Sequence, residues 1–217
     1  MMFLLNKTNS IANHFLAELR DADIQLDSMR FRKNLERLGE IFAYEISKKL
    51  PFEEFEIQTP LGLANINMIP RLPVLATILR AGLPLHQGLL NVFDKSDSAF
   101  ISAYRKTKKS GDFDIRMEYI STPDLEDKIV IISDPMLATG RSMVLCCKEL
   151  LANYKISALH IVAVIASQEG IEHVKANIPK ANLWIGAIDE EMTTKAYIVP
   201  GLGDAGDLAF GVKVYSS

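Results

Sequence analysis

Residues 129–142 read IVIISDPMLATGRS, and the fold is decided there. Ile129, Val130, Ile131 and Ile132 form an unbroken apolar run. That is the pattern of a parallel strand covered on both faces, not the alternation of a half-exposed one. The run delivers Asp134 at its carboxyl end. Pro135, Met136, Leu137, Ala138, Thr139 and Gly140 then predict a tight turn, and residues 142–151 are compatible with a helix. Strand, acidic residue, small-residue loop and helix start together suit an anionic ligand, because backbone N–H groups and the positive end of the helix dipole point into the loop. Ala138 and Gly140 let the backbone approach a phosphate closely, and Thr139 and Ser142 add hydroxyl donors. Asp134 stands where it would hold either ribose hydroxyls or a hydrated Mg²⁺. The loop is neither a Walker loop, which needs Gly-Lys-Ser/Thr, nor GxGxxG. A Thr-Gly turn also serves as a plain helix cap, so the remaining loops must decide.

Outward from this stretch, strands and helices alternate. Residues 25–50 predict a long helix, with Met29, Leu35, Leu38, Ile41, Phe42 and Ile46 near helical spacing and Pro51 as terminator. Residues 53–69 predict a β-hairpin arm turning at Thr59-Pro60-Leu61-Gly62. Strands are expected at 74–79, 98–104, 116–120, 128–132, 158–166 and 182–186, with helices at 83–92, 142–153 and 169–176. This rhythm predicts an α/β fold with a mostly parallel central sheet flanked by helices, and one domain spanning 1–217.

Composition narrows the function classes. Of the 217 residues 48% are hydrophobic and 24% charged, as in ordinary globular proteins, and a formal net charge of −3 speaks against nucleic acid or an acidic membrane as partner. No apolar run approaches the roughly 20 residues needed to span a bilayer, and MMFLLNKTNS lacks the basic flank of a secretory signal. Cys146 and Cys147, adjacent and without CxxC spacing, predict small buried helix residues and a cytoplasmic protein. His14, His86, His160 and His173 form no catalytic arrangement with Ser, Cys or Asp.

In such sheets ligands lie beyond the carboxyl ends of the strands. After 74–79 come Arg80-Ala81-Gly82, where a guanidinium would either clamp a phosphate or cap a carboxylate. Gly82 there is expected to permit a backbone shape other residues resist. After 98–104 come Arg105-Lys106-Thr107-Lys108-Lys109-Ser110-Gly111, a basic loop suited to closing over a polyanion. After 158–166, Glu169 and Gly170 fit a helix start. The last signal is Tyr197-Ile198-Val199-Pro200-Gly201-Leu202-Gly203-Asp204-Ala205-Gly206-Asp207, a tightly turned loop exposing main chain. Uracil presents acceptor, donor, acceptor along one edge, which N–H, C=O and N–H groups match. Cytosine would leave partners unpaired at about 1–3 kcal/mol each.

Taken together, LRAGLP at 79–84, Tyr104-Arg105, DPMLATG at 134–140, EGIE at 169–172, AIDE at 187–190 and YIVPGLGDAGD at 197–207 resemble the uracil phosphoribosyltransferase family of the type I phosphoribosyltransferase fold. The resemblance implies transfer of the 5-phosphoribosyl group from PRPP to N1 of uracil, giving UMP and diphosphate. By matching position it implies that Pro135, Met136, Leu137, Ala138, Thr139, Gly140, Arg141 and Ser142 form the PRPP loop, with residues 138–142 cradling the 5-phosphate. Asp134 would bind the ribose hydroxyls, and Arg80 and Arg105 the pyrophosphate. Tyr197, Ile198, Gly203, Asp204 and Ala205 would form a C-terminal base-binding hood, with Met136 and Ala138 bordering the base. Asp134, Arg105 and Asp204 are the implied catalytic residues, Asp204 facing PRPP through its Mg²⁺. Mg²⁺ is the implied cofactor, GTP an activator of some members, and a homodimer or higher homo-oligomer is expected from the apolar face of the 25–50 helix and the arm. The chain departs from the family pattern at Arg141, usually a small residue, at Lys106, at Leu208-Ala209 and at Ser133. The competing readings are a PRPP- and uracil-binding regulator without strong turnover, and a phosphoribosyltransferase for another base.

Overall fold

A computed structural model describes residues 1–107 and 113–212, and for 103–107 and 113–118 the course of the backbone alone. Met2–Leu4 (β1) lies at one sheet edge, and Ala12–Arg20 (α1) follows with Ala12, Leu16 and Leu19 buried at helical spacing. Ser28–Ser47 (α2) fills most of the 25–50 window. It starts later than expected because Asp27 caps it, accepting from Met29 N and Arg30 N at 3.0 Å each. Gln25 lies instead in a 3₁₀ turn, Ile24–Leu26. Leu35, Leu38, Phe42 and Ile46 are buried as expected, whereas Met29 is exposed and Phe31 takes its place in the core.

Glu53–Thr59 (β2) and Gly62–Met68 (β3) pair antiparallel as a separate two-stranded sheet, the expected arm. Then come Val74–Leu79 (β4), Leu83–Val92 (α3), Ser98–Thr107 (β5), Phe113–Ser121 (β6), Ile129–Ser133 (β7), Met136–Leu137 (β8), Arg141–Asn153 (α4), Ala158–Ser167 (β9), Gln168–Asn177 (α5), Asn182–Asp189 (β10), Glu191–Met192 (β11), Ile198–Val199 (β12) and Ala205–Phe210 (α6). β5 continues to Thr107 and pairs antiparallel with β6, so Arg105, Lys106 and Thr107 sit in a strand where a loop was expected. Residues 108–111 of that loop lie outside the described residues.

The main sheet runs β1-β10-β9-β7-β4-β5-β6, parallel throughout except for the β5–β6 pair, with β8 continuing alongside β9. Its central strands are covered on both sides, which explains their unbroken apolar runs. Leu75, Ile131, Val162 and Trp184 join α1, α2 and α3 in one core. Val74, Ala76, Ile78, Val130, Ile132 and Ile161 join α4 and α5 in another. Cys146 and Cys147 belong to this second core, unpaired and buried, and burial pushes the Cys146 thiol up to about 12. From β4 the chain steps to β5 on one side; from β7 it steps to β9 and β10 on the other. Strand progression therefore reverses between adjacent β4 and β7, and such a reversal opens a crevice at the strands' carboxyl ends.

Candidate active site

The floor of that crevice is stitched together by two side chains. Thr77 Oγ1 on β4 donates to Ser133 O on β7 (3.2 Å), and Ser133 Oγ donates back to Ala76 O (3.3 Å). Ser133 thus has a role that its apolar counterparts would not supply. Gly82, at the start of α3, has an ordinary helical backbone with φ −71°, so conformational freedom is not why it is glycine. A Cβ there would come within 2.1 Å of Thr77 Oγ1 and 2.7 Å of Ile78 O, so the requirement is close approach. The Leu79–Arg80 peptide just before it is cis.

The loop after β7 is tied to its neighbours by more hydrogen bonds than a free turn would have. Asp134 N–H donates to Val162 O (3.1 Å), Pro135 O accepts from both Val164 N and Ile165 N (3.0 Å each), and Met136–Leu137 continues as β8 along β9. Ser167 Oγ donates to Ala138 O (2.5 Å) while capping α5 by accepting from Gly170 N (2.8 Å). A Cβ on Gly170 would lie 2.3 Å from Ala138 O, so glycine there lets α5 back the loop directly. The loop's carbonyls are thus drawn towards β9 and α5. Gly140 closes it in the left-handed region, φ +71°, and α4 begins at Arg141, so first-turn N–H groups of α4 project to the loop side.

The opposite wall is the hood, made of β11, β12 and α6. Asp204 caps α6, its Oδ1 accepting from Asp207 N (3.0 Å). Arg80 Nη2 donates to Gly211 O (3.0 Å) and to Asp207 Oδ1 (3.4 Å), while its Nε is buried with no partner among the described residues. Arg32 Nη1 donates to Ala209 O (2.7 Å). Asp189 at the end of β10 is bound by both arms of the Arg20 guanidinium (2.8 and 2.9 Å) and by Gly201 N–H (2.9 Å). Burial alone would raise the Asp189 carboxyl. The Arg20 hydrogen bond, the Gly201 amide and the Arg20 charge outweigh it and hold the group below its ordinary value.

One cleft of about 320 Å³ brings these walls together. It is lined by Arg80 after β4, by Asp134, Met136, Leu137, Ala138, Thr139, Gly140 and Ser142 after β7, and by Tyr197, Ile198, Gly203, Asp204 and Ala205 of the hood. Pro135 and Arg141 do not line it: Pro135 is buried behind the loop and Arg141 is exposed at the start of α4. Arg105 lies on β5 opposite Ile115, and its side chain falls outside the described residues. Sequence reasoning missed Ile78, Leu79, Ala81, Met143, Ala196 and Gly206, all in the lining. Their signal was only adjacency to residues already singled out. It also missed Arg20 and Gln25, which carry no motif.

The donor set bears on a metal. Among the described residues no group of three or more His, Cys, Asp and Glu could hold an ion by itself. The cleft nevertheless offers two carboxylates, Asp134 and Asp204, and two hydroxyls, Thr139 and Ser142. Mg²⁺ commonly keeps several waters and binds through one or two carboxylates plus substrate phosphates, so these residues fit an ion that arrives with its substrate.

The reversal at β4/β7, with the 134–142 loop on one side of the cleft and the 197–206 hood on the other, is the architecture of the type I phosphoribosyltransferase fold. Hypoxanthine phosphoribosyltransferase from Staphylococcus aureus shares the fold alone, at a TM-score of 0.51 and 15% identity over 74% of this chain and 76% of that one. The family profile described as uracil phosphoribosyltransferase matches residues 6–212, and the chain belongs to that family. It is 51% identical to the uracil phosphoribosyltransferase of Porphyromonas gingivalis over 211 residues, 97% of this chain and 98% of that one. To the uracil phosphoribosyltransferase of Thermococcus gammatolerans it is 40% identical over 204 residues, 93% and 89%. The solved structure of the AQ2163 protein of Aquifex aeolicus superposes with a TM-score of 0.88 at 31% identity, covering 99% of this chain and 100% of that one.

Proposed function

We infer that the protein is a uracil phosphoribosyltransferase, moving the 5-phosphoribosyl group of PRPP to uracil N1 in pyrimidine salvage. The observation that carries this is the meeting of the 134–142 loop and the 197–206 ribbon across one cleft. In the reaction the C1′–O bond to diphosphate breaks, the N1–C1′ bond forms, and the N1 proton is released. An oxocarbenium-like sugar and a highly charged leaving group need positioning and charge stabilisation more than a nucleophile.

The first-turn amides of α4 and the hydroxyls of Thr139 and Ser142 hold the 5-phosphate. Asp134, anchored through its own amide, orients the ribose hydroxyls. Arg80 exchanges Asp207 and Gly211 O for diphosphate oxygens, joined by Arg105. Ile198, Gly203 and Ala205 offer peptide groups to the uracil edge, with Tyr197, Met136 and Ala138 around the ring. Asp204, whose Oδ1 serves as a cap, faces the diphosphate side. Mg²⁺, when bound there with its substrate, supplies neutralisation of the departing charge.

Three further properties belong with this reading. Residues 1–217 form one domain, supported by the single main sheet that every α/β unit joins. The protein acts in the cytoplasm, supported by two buried free thiols; among the described residues no helix is long and apolar enough to cross a membrane. It assembles as a homodimer or higher homo-oligomer through the arm. A lone two-stranded hairpin is marginal in water, yet this one exposes Phe55, Ile57, Leu61, Leu63 and Ile66. The apolar face of α2 is not available for assembly, because Phe31, Leu35, Leu38, Phe42 and Ile46 are buried within the chain itself.

Incubation with PRPP, Mg²⁺ and each nucleobase, following diphosphate release, tests the assignment. Release with uracil alone is expected. Binding of both substrates without release would favour the regulator instead, and release with another base would move the specificity. GTP activation is tested by adding GTP to the same assay, and assembly by sedimentation of the wild type against Leu61→Asp.

A further inference from the structure

The ribbon that faces the base is held from outside by side chains at the end of α1, in the turn after it and at the end of β10. Gly201 and Leu202 are buried between β12 and α6. Gly201 sits at φ +56°, and a Cβ there would lie 2.2 Å from Ile198 O, so this point of the ribbon has no side chain with which to anchor itself. Its peptide groups are met elsewhere. Gly201 N–H donates to Asp189 Oδ2 (2.9 Å), and Gly201 O accepts from Arg20 Nη1 (3.1 Å). The Gln25 side-chain amide faces two carbonyl acceptors, which assigns its NH₂ group to that side, where it donates to Leu202 O (2.8 Å) and to Leu19 O (3.2 Å). Arg20 and Asp189 close the ring with a two-pronged ion pair, 7% exposed on the carboxylate side. None of the three side chains lines the cleft.

Building on the reading of residues 197–205 as the uracil-reading ribbon, we propose that Arg20, Gln25 and Asp189 are positioning residues for the base, setting affinity for uracil without touching it. α1 buries Leu16 and Leu19 and so fixes the backbone from which Arg20 reaches Gly201. A shift of Gly201 passes directly to Gly203 and Ala205, two and four positions on, both of which face the cleft. The 134–142 loop is held by β9 and α5 and makes no bond to the clamp itself, so the 5-phosphate grip is disturbed less than the base contacts, although Asp204, between Gly203 and Ala205, carries part of any shift to the diphosphate side. Arginine is required because a lysine can bind Asp189 or Gly201 O but cannot hold the planar fork.

Arg20→Lys, Arg20→Met and Gln25→Ala separate this role from a merely structural one. The KM for uracil should rise roughly tenfold in Arg20→Lys and up to about a hundredfold in Arg20→Met, with the KM for PRPP rising several times less in each. Gln25→Ala should raise the uracil KM about threefold. Equal loss against both substrates, or an unchanged uracil KM, overturns the proposal. If Arg20→Met does not fold, Arg20→Lys and Gln25→Ala decide by the same measurements. Amide chemical-shift mapping of the wild type with uracil keeps the underlying reading distinct. Unmoved Ile198, Gly203 and Ala205 amides would refute the ribbon itself. Shifts at those amides together with a wild-type uracil KM in Arg20→Lys would refute the clamp alone.

Discussion

Two walls face each other across the cleft, and they are built on opposite plans. The 134–142 loop is shaped within one stretch of chain and braced by the β-α unit that follows it. A buried strand supplies its start, β8 splints it against β9, and Ser167 and Gly170 back it from the adjoining helix. The hood, beyond its short β11–β12 pair, is secured by Arg20, Gln25, Arg32 and Arg80, all remote from it in sequence, and by Asp189 just ahead of β11. A site for an anion can be built locally, because strand ends and helix starts supply the needed amides. A site that reads a base by its main chain gains from having that main chain held from outside, as Arg20, Gln25 and Asp189 hold it here.

If the walls divide the work in this way, Asp134→Asn should cut turnover by about a hundredfold or more while the fold, read by circular dichroism, is unchanged. Near-wild-type diphosphate release would remove the sugar from this wall. Acid should strain the scaffold before the clamp. His86 and His160 are held neutral by burial, each lowered to about 4 from 6.5. The unfolded chain therefore takes up protons that the folded one refuses, and stability falls as pH drops from 6.5 towards 4, by up to about 3 kcal/mol per histidine. Asp189, depressed below 3.8, stays ionised throughout that window, and its contribution is lost only at lower pH. Denaturant midpoints against pH check this. His160→Asn, which can keep an acceptor for the Trp184 Nε1–H that now donates to His160 Nδ1 (3.0 Å), should flatten the slope.

Gly170→Ala probes the backing of the loop. Its Cβ would meet Ala138 O, so stability should fall by about 1–3 kcal/mol and the KM for PRPP rise, with the uracil KM little changed. A mild effect is expected on the hood side. Ala196 holds φ +60°, which costs a residue with a Cβ about 1–2 kcal/mol, so Ala196→Gly should gain about 0.5 kcal/mol after the added chain entropy is counted. An unaltered or lower melting temperature would show the strain is relieved in some other way.

The same division explains what could be read without coordinates. β4, β7 and β9 were legible because strands covered on both faces leave unbroken apolar runs, and the loop after β7 because its amides come from the chain next to it. The arm was legible from its turn residues. β1, with three residues, and α6, with six, are too short to leave a periodic trace, and α1 exposes its stripe only through Ala12, Leu16 and Leu19. Asp189 stood in a noticed motif without a task, since its partners Arg20 and Gly201 come together only when β10 brings them to one end of the sheet. Gly82 was noticed for the wrong reason: a crowded neighbour, not an unusual dihedral, forbids a side chain there.

Pro135 O takes two consecutive amides of β9, so the hydrogen-bond ladder passes from β7 to β8 with Asp134 clasped at the join. A segment braced like that is a poor door. Entry of the sugar and exit of the nucleotide are then expected to follow movement elsewhere than in this loop, and the slow step of a catalytic cycle that ends in product escape would answer to changes made there.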